Sequence, residues 1–170
     1  MNIKIKIILV FMILMICIPV TLCLGQYKTS APSIPQTIPA PDFSLIDLQG
    51  KKFTLSSQLG KPVVLFFGTT WCPSCRAEIP SVKAMYETYA KQGLVIVYID
   101  IEEPAEKVER FVNRYSLPYP VLLDNDGRVA SNYNIVGVPT LFLIDKEGNV
   151  ITAGHRISQL PINKLFPSSK

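Results

Sequence analysis

Apolar residues along this chain fall into three kinds of run, and each predicts a different element. Two runs are short and unbroken, residues 62–67 (with Val63-Val64-Leu65-Phe66-Phe67) and 94–99, as expected of strands buried on both faces. In a second kind, apolar positions recur every three or four residues. Ile79, Val82, Tyr86 and Tyr89 mark a helix over 73–91, and Ala105, Val108, Phe111, Val112 and Tyr115 mark a second helix opened by Pro104. Pro73 suits the first turn of the first helix, whereas Pro80 falls in its interior, where it removes the bond back to Arg76 and is expected to kink it. The third kind is residues 7–24, apolar throughout except for Pro19 and Thr21 and preceded by Lys4 and Lys6.

Turn residues divide what remains. Residues 43–47 and 52–55 flank Gln49-Gly50 and form a hairpin pattern, followed by a short helical turn at 56–59 that Gly60 stops. A short strand at 120–123 leads through Asp126-Gly127 to a short helix ending near Tyr133. Strands at 140–145 and 149–153 are joined by Lys146-Glu147-Gly148, and a last helix is expected at 158–166 with Pro161 in its first turn. Strand, helix, strand, an intervening helix, then hairpin and helix make an α/β domain with a mixed central sheet flanked by helices. Three segments follow: a signal or membrane anchor at 1–25, a proline-rich linker at 26–41 carrying Pro32, Pro35, Pro39 and Pro41, and a domain at 42–170.

The N-terminal segment changes the picture most, because it places the domain outside the cytoplasm. A segment of eighteen residues sits at the lower edge of a membrane span and exceeds a typical signal core. Three outcomes stand open: cleavage near Cys23-Leu24-Gly25 with release of a secreted form, lipidation at Cys23 within a loose lipobox, or retention as an anchor. Charge adds little. The net +4 includes Lys4 and Lys6; without them 15 bases face 13 acids, and no linear basic run marks a nucleic-acid surface.

The candidate chemistry lies where the first buried strand meets the first helix, in Trp71-Cys72-Pro73-Ser74-Cys75. A cysteine at a helix N-terminus faces unpaired N–H groups and the positive end of the helix dipole, which stabilise the thiolate that disulfide exchange requires. The second cysteine, one turn on, is within reach to close a disulfide. The site falls at the carboxyl end of a central strand, where open α/β sheets place their sites. Cys17 and Cys23 are the only other cysteines, and a lone His155 cannot complete a zinc site, so neither metal nor cofactor beyond the redox-active pair is expected. Arg76 and Lys83 read as solvated helix residues, His155 as surface, and Asp100 as a turn residue at a strand end.

Two segments resemble the thioredoxin superfamily: Trp71-Cys72-Pro73-Ser74-Cys75, and Gly137-Val138-Pro139-Thr140 with the strand after it. Within that superfamily the chain looks most like the TlpA/ResA group of membrane-tethered bacterial reductases. The run from Trp71 to Pro80 matches that group's W-C-x-x-C-x-x-E-x-P pattern, and Ala40-Pro41-Asp42-Phe43 and the added segment 115–124 also suit it. The resemblance implies a thioredoxin fold with an N-terminal β-hairpin and a TlpA-type helix-strand insertion. It makes Cys72 the nucleophile, Cys75 the resolving thiol, and Pro139 a cis-proline that exposes Val138 for strand-like pairing with substrate. Trp71, beside the motif, is expected to shield the disulfide and offer substrate a flat contact surface, with ordinary packing as the alternative.

Phe66 stands where thioredoxin carries a buried aspartate, so Glu78, three residues beyond Cys75, is the carboxylate expected to relay protons. The function implied is extracytoplasmic reduction of client disulfides, such as the CxxCH of an apocytochrome c or the cysteines of a copper site, with recharging by a membrane donor of the CcdA/DsbD type. Three alternatives remain: a DsbA-like oxidant, a copper-binding chaperone, and a peroxiredoxin, for which Thr69 is correctly spaced but Leu65 occupies the expected proline position.

Overall fold

The computed structural model describes residues 37–166. The expected signal or anchor, linker residues 26–36 and residues 167–170 lie outside the described residues, and among those described no helix is long and apolar enough to cross a membrane.

Among the described residues eight strands, β1 (Ile38–Pro39), β2 (Ser44–Asp47), β3 (Lys52–Thr54), β4 (Val63–Gly68), β5 (Val95–Ile101), β6 (Val121–Asp124), β7 (Thr140–Ile144) and β8 (Asn149–Gly154), form one mixed sheet in the order β1-β8-β7-β4-β5-β6-β2-β3. Its centre is β4 (Val63–Gly68) beside β5 (Val95–Ile101), paired in parallel from Val63↔Val95 to Gly68↔Asp100. β6 (Val121–Asp124) extends the parallel set, and β7 (Thr140–Ile144) runs antiparallel on the other side of β4. β8 (Asn149–Gly154) pairs with β7, while the hairpin of β2 (Ser44–Asp47) and β3 (Lys52–Thr54) docks through β2 onto β6.

Because successive side chains point to opposite faces, β4 feeds two cores. Val64 and Phe66 join Ile96 and Tyr98 of β5 beneath α1 (Pro73–Tyr89) and α2 (Ala105–Tyr115), a layer that also contains Cys72 and Cys75. Val63, Leu65 and Phe67 pack on the opposite face with Val97, Ile99, the N-terminal hairpin and α3 (Arg128–Asn132). A strand buried on both faces disfavours polar side chains, which is why residues 62–67 and 94–99 read as unbroken apolar runs; Asp100, near the end of β5, is the exception.

The sequence reading needs correction in four places. The sheet takes in β1 (Ile38–Pro39), which falls within the expected linker at 26–41, because these two residues pair with Val150 and Asn149 of β8. Pro39 is tolerated there since β1 is an edge strand and the missing N–H breaks no ladder. The expected C-terminal helix is instead two 3-10 turns, Ile157–Gln159 and Ile162–Lys164. Pro161 disfavours a helical Leu160, which is extended at φ −88°, ψ 125°. Ala105 is exposed, so α2 buries only Val108 and Phe111 fully, with Val112 and Tyr115 at the margin. Asp100 is not a turn residue: it is the sixth residue of β5 and only 1% exposed. Helix α1 continues through Pro80 to Tyr89.

Candidate active site

Cys72 is the N-cap residue of α1, with extended backbone (φ −70°, ψ 115°) and Pro73 following at the first helical position. Its sulfur accepts the Cys75 N–H at 3.1 Å, satisfying one of the helix's orphan donors. No acidic residue occupies the first turn, so nothing there opposes negative charge on sulfur. Cys72 and Cys75 are joined as a disulfide with Cα atoms 5.3 Å apart, and both are buried. Trp71, beside them, is 62% exposed.

Opposite the disulfide runs the loop before β7. The Val138–Pro139 bond is cis, and the Val138 carbonyl oxygen lies 3.7 Å from Cys72 Sγ. Two side chains hold this loop: Thr140 Oγ1 donates to the Gly137 carbonyl at 2.7 Å, and His155 Nδ1 to the Pro139 carbonyl at 2.8 Å. A carbonyl only accepts, so Nδ1 is the protonated ring nitrogen in this arrangement. Sequence reasoning left His155 on the surface. It is exposed, yet the β7–β8 register pairs Leu141 with Gly154 and so carries His155 alongside the loop.

Glu78 is buried at 9% exposure, one turn beyond Cys75, and its Oε1 accepts the Ile157 N–H at 2.7 Å. It lines a groove of about 420 Å³ together with Ser74, Ala77, Val138, Pro139, His155 and Arg156. Glu78, Val138 and Pro139, far apart in sequence, thus share one groove beside the cysteine motif. Trp71 is not among its lining residues. Lys83, on the same helix as Glu78, donates to the Tyr115 carbonyl at 3.2 Å.

A second set of residues supports the loop entering Cys72, and it was not legible in the sequence as a site. Glu103 accepts from the Thr70 N–H through Oε2 and from Thr70 Oγ1 through Oε1 at 2.8 Å, and pairs with Lys107. Arg76 Nη1 donates to the Thr70 carbonyl at 3.0 Å, so it is tied down rather than freely solvated. Burial pushes the Glu103 carboxyl up, but the Lys107 ammonium and the Thr70 donors outweigh it and hold it below the usual carboxylate range. Asp100 responds oppositely. Burial, then the negative charge of Glu103, push it up to about 8, and neither of its oxygens has a hydrogen-bond partner. The Tyr98 hydroxyl, also unpartnered and buried, lies so near Gly68 that a Cβ there would overlap it. Tyr98 is pushed upward by burial and by Asp100.

A mixed sheet with a disulfide capping the helix after its central strand, faced by a cis-proline loop, is the arrangement of the thioredoxin-fold thiol–disulfide oxidoreductases. Residues 37–153 match the AhpC/TSA family. The chain is 38% identical over 143 residues to the thiol-disulfide oxidoreductase ResA of Bacillus thuringiensis subsp. konkukian, covering 84% of this chain and 83% of that one. It is 43% identical over 111 residues to the ResA of Geobacillus kaustophilus, covering 65% of this chain and 64%, just under two thirds, of that relative. The thioredoxin domain of a thiol-disulfide oxidoreductase from Bacteroides vulgatus superposes with a TM-score of 0.69 at 27% identity, over 74% of this chain and 94% of that one. The chain belongs to the AhpC/TSA family and, within it, to the thiol–disulfide oxidoreductases similar to ResA.

Proposed function

We propose that this protein reduces disulfides in client proteins outside the cytoplasm, held near the membrane by its N-terminal segment. The observation that carries the proposal is the placement of Cys72 Sγ at the α1 N-terminus, accepting the Cys75 N–H, with the Val138 carbonyl opposite. That setting favours thiolate at Cys72, and thiolate is the attacking species.

In the reduced protein, Cys72 attacks one sulfur of a client disulfide. The client S–S bond breaks, a mixed disulfide forms, and the first client thiolate leaves and takes up a proton. Cys75 then gives up its proton, with Glu78 as the positioned acceptor, and attacks the Cys72 sulfur. The Cys72–Cys75 bond forms and the second client thiolate departs, so two electrons pass from the enzyme pair to the client. Val138 pairs with the client backbone in the groove at Pro139, and Trp71 offers a flat contact beside the sulfurs. A membrane dithiol donor of the CcdA/DsbD type returns the two electrons. The clients this chemistry suits are the CxxCH of apocytochrome c and the paired cysteines of copper sites.

The test is to express the protein as Cys75→Ser, trap mixed disulfides in the native envelope and identify what Cys72 holds. Recovery of cytochrome or copper-site precursors supports the proposal; a broad set of newly secreted proteins makes the protein an oxidant. Equilibration with glutathione decides direction independently: a potential near thioredoxin's ~−270 mV fits a reductase, and one near DsbA's ~−120 mV does not.

A further inference from the structure

The four lysines outside residues 37–166 (Lys4, Lys6, Lys28 and Lys170) account for the whole excess of +4, so the described part carries as many acids as bases. Its bases are nonetheless concentrated. Lys107, Arg110 and Arg114 recur at i, i+3 and i+7 along one face of α2. They line a groove of about 620 Å³ with Thr70, Arg76, Phe111 and Tyr115. No carboxylate lines it, although Glu106 and Glu109 stand on the same helix. No linear basic run reveals this cluster, because it is assembled from two helices.

One end of the groove lies at the reactive motif, since Thr70 is two residues before Cys72 and Arg76 follows Cys75 directly. Arg76 and Lys107 already serve Thr70 and Glu103. Arg110 and Arg114 make no ion pair among the described residues, and the Arg114 guanidinium sits 5.9 Å from the centre of the Tyr115 ring. Guanidinium groups offer carboxylates a planar, two-pronged donor, so two of them unpaired at the surface favour an anionic partner. Lys107 to Arg114 spans about 10 Å of helix, which no single small anion can bridge but an extended chain with spaced carboxylates can.

We propose that this groove docks an acidic polypeptide segment flanking the cysteine pair of the client, and so selects clients by the charge next to their disulfide. The proposal rests on the exchange reaction above. Opposite charge across the two surfaces steers encounter and fixes register, so it acts chiefly on the rate of attack.

The experiment mixes the prereduced full chain with three disulfide peptides sharing one Cys-Cys core and differing only in Glu, Gln or Lys flanks. Fluorescence of Trp71, the single tryptophan, reports formation of the Cys72–Cys75 bond. The Glu peptide is expected to react roughly tenfold faster than the Gln peptide at low salt, and the Lys peptide more slowly, with the spread shrinking as salt rises. Arg110→Glu with Arg114→Glu is expected to abolish or reverse the preference, and Arg110→Gln with Arg114→Gln to weaken it. Lys61→Glu with Lys146→Glu makes the same change in net charge at the other end of β4, where Gly60 N–H bonds the Lys146 carbonyl, and should leave the preference intact. Equal rates for all three peptides, or a preference that survives charge reversal on α2, overturns the groove while leaving the exchange reaction standing. Failure to reduce even the Gln peptide would overturn both.

Discussion

Both carboxylate oxygens of Glu103 close on a single residue, Thr70: one takes its backbone N–H and the other its hydroxyl at 2.8 Å. Thirty-three residues separate the pair, and the parallel register of β4 and β5 brings them together at the carboxyl end of the sheet. With Arg76 holding the Thr70 carbonyl, the segment that delivers Cys72 to the α1 N-terminus is fixed from both sides.

Glu103→Ala should therefore destabilise the protein by about 2 kcal/mol, because it removes the acceptor of both the part-buried Thr70 N–H and its hydroxyl. Thr70→Val loses only the hydroxyl bond and should cost about 1 kcal/mol. Urea unfolding of the two variants checks the order; equal losses would mean that the backbone bond contributes nothing.

Asp100 makes stability depend on pH. Its folded-state carboxyl is pushed from 3.8 up to about 8 by burial and by Glu103, with Lys107 opposing. Between those values the folded chain keeps a proton that the unfolded chain has lost, so stability falls as pH rises from about 4 to about 8 and levels off above. Glu103, shifted down, loses its contribution only at more acid pH, as it protonates. Wild type should be about 1–3 kcal/mol less stable at pH 8 than at pH 5 relative to Asp100→Asn, which lacks the ionisable proton. Parallel urea titrations of the two proteins at both pH values would expose a missing difference.

Removing the sulfurs separates their roles. Cys72→Ser should lose exchange down to background and trap no client. Cys75→Ser should form mixed disulfides that accumulate, because no second thiol resolves them. Mass spectrometry of the protein after incubation with a disulfide peptide distinguishes the two; adducts at Cys75 in the Cys72→Ser protein would reverse the assignment.

Much of this architecture is legible in residues 62–67 and 94–99, whose unbroken apolar runs follow directly from burial on both faces, and in Trp71 to Cys75 at the strand-to-helix junction. The Glu103–Thr70 bond and the burial of Asp100 were not, because both depend on the alignment of β4 with β5, and an acidic residue at a strand end looks the same whether solvated or enclosed. His155 was missed for the same reason, since only the β7–β8 register sets it beside Pro139. β1 was hidden by composition: a proline in a proline-rich stretch signals a linker unless an open sheet edge is there to receive it. The C-terminal turns show local sterics prevailing over apolar spacing, as Pro161 breaks a pattern that Ile157, Leu160 and Ile162 still use to reach the core.

Glu78 allows a test that separates proton transfer from architecture. Its Oε1 accepts the Ile157 N–H at 2.7 Å, so it anchors the turn after β8 as well as standing one turn from Cys75. Glu78→Gln keeps an acceptor oxygen for Ile157 but cannot take a proton. Glu78→Ala removes both and should cost about 1–3 kcal/mol through the orphaned N–H. If Glu78 relays protons, Glu78→Gln should retain near-native stability yet slow the resolving step on the order of tenfold or more and change its pH profile. Single-turnover rates between pH 5 and 9, read beside urea unfolding curves, provide both measurements. A Glu78→Gln protein with native rates at every pH would leave Glu78 as an anchor of the turn and return the relay to solvent.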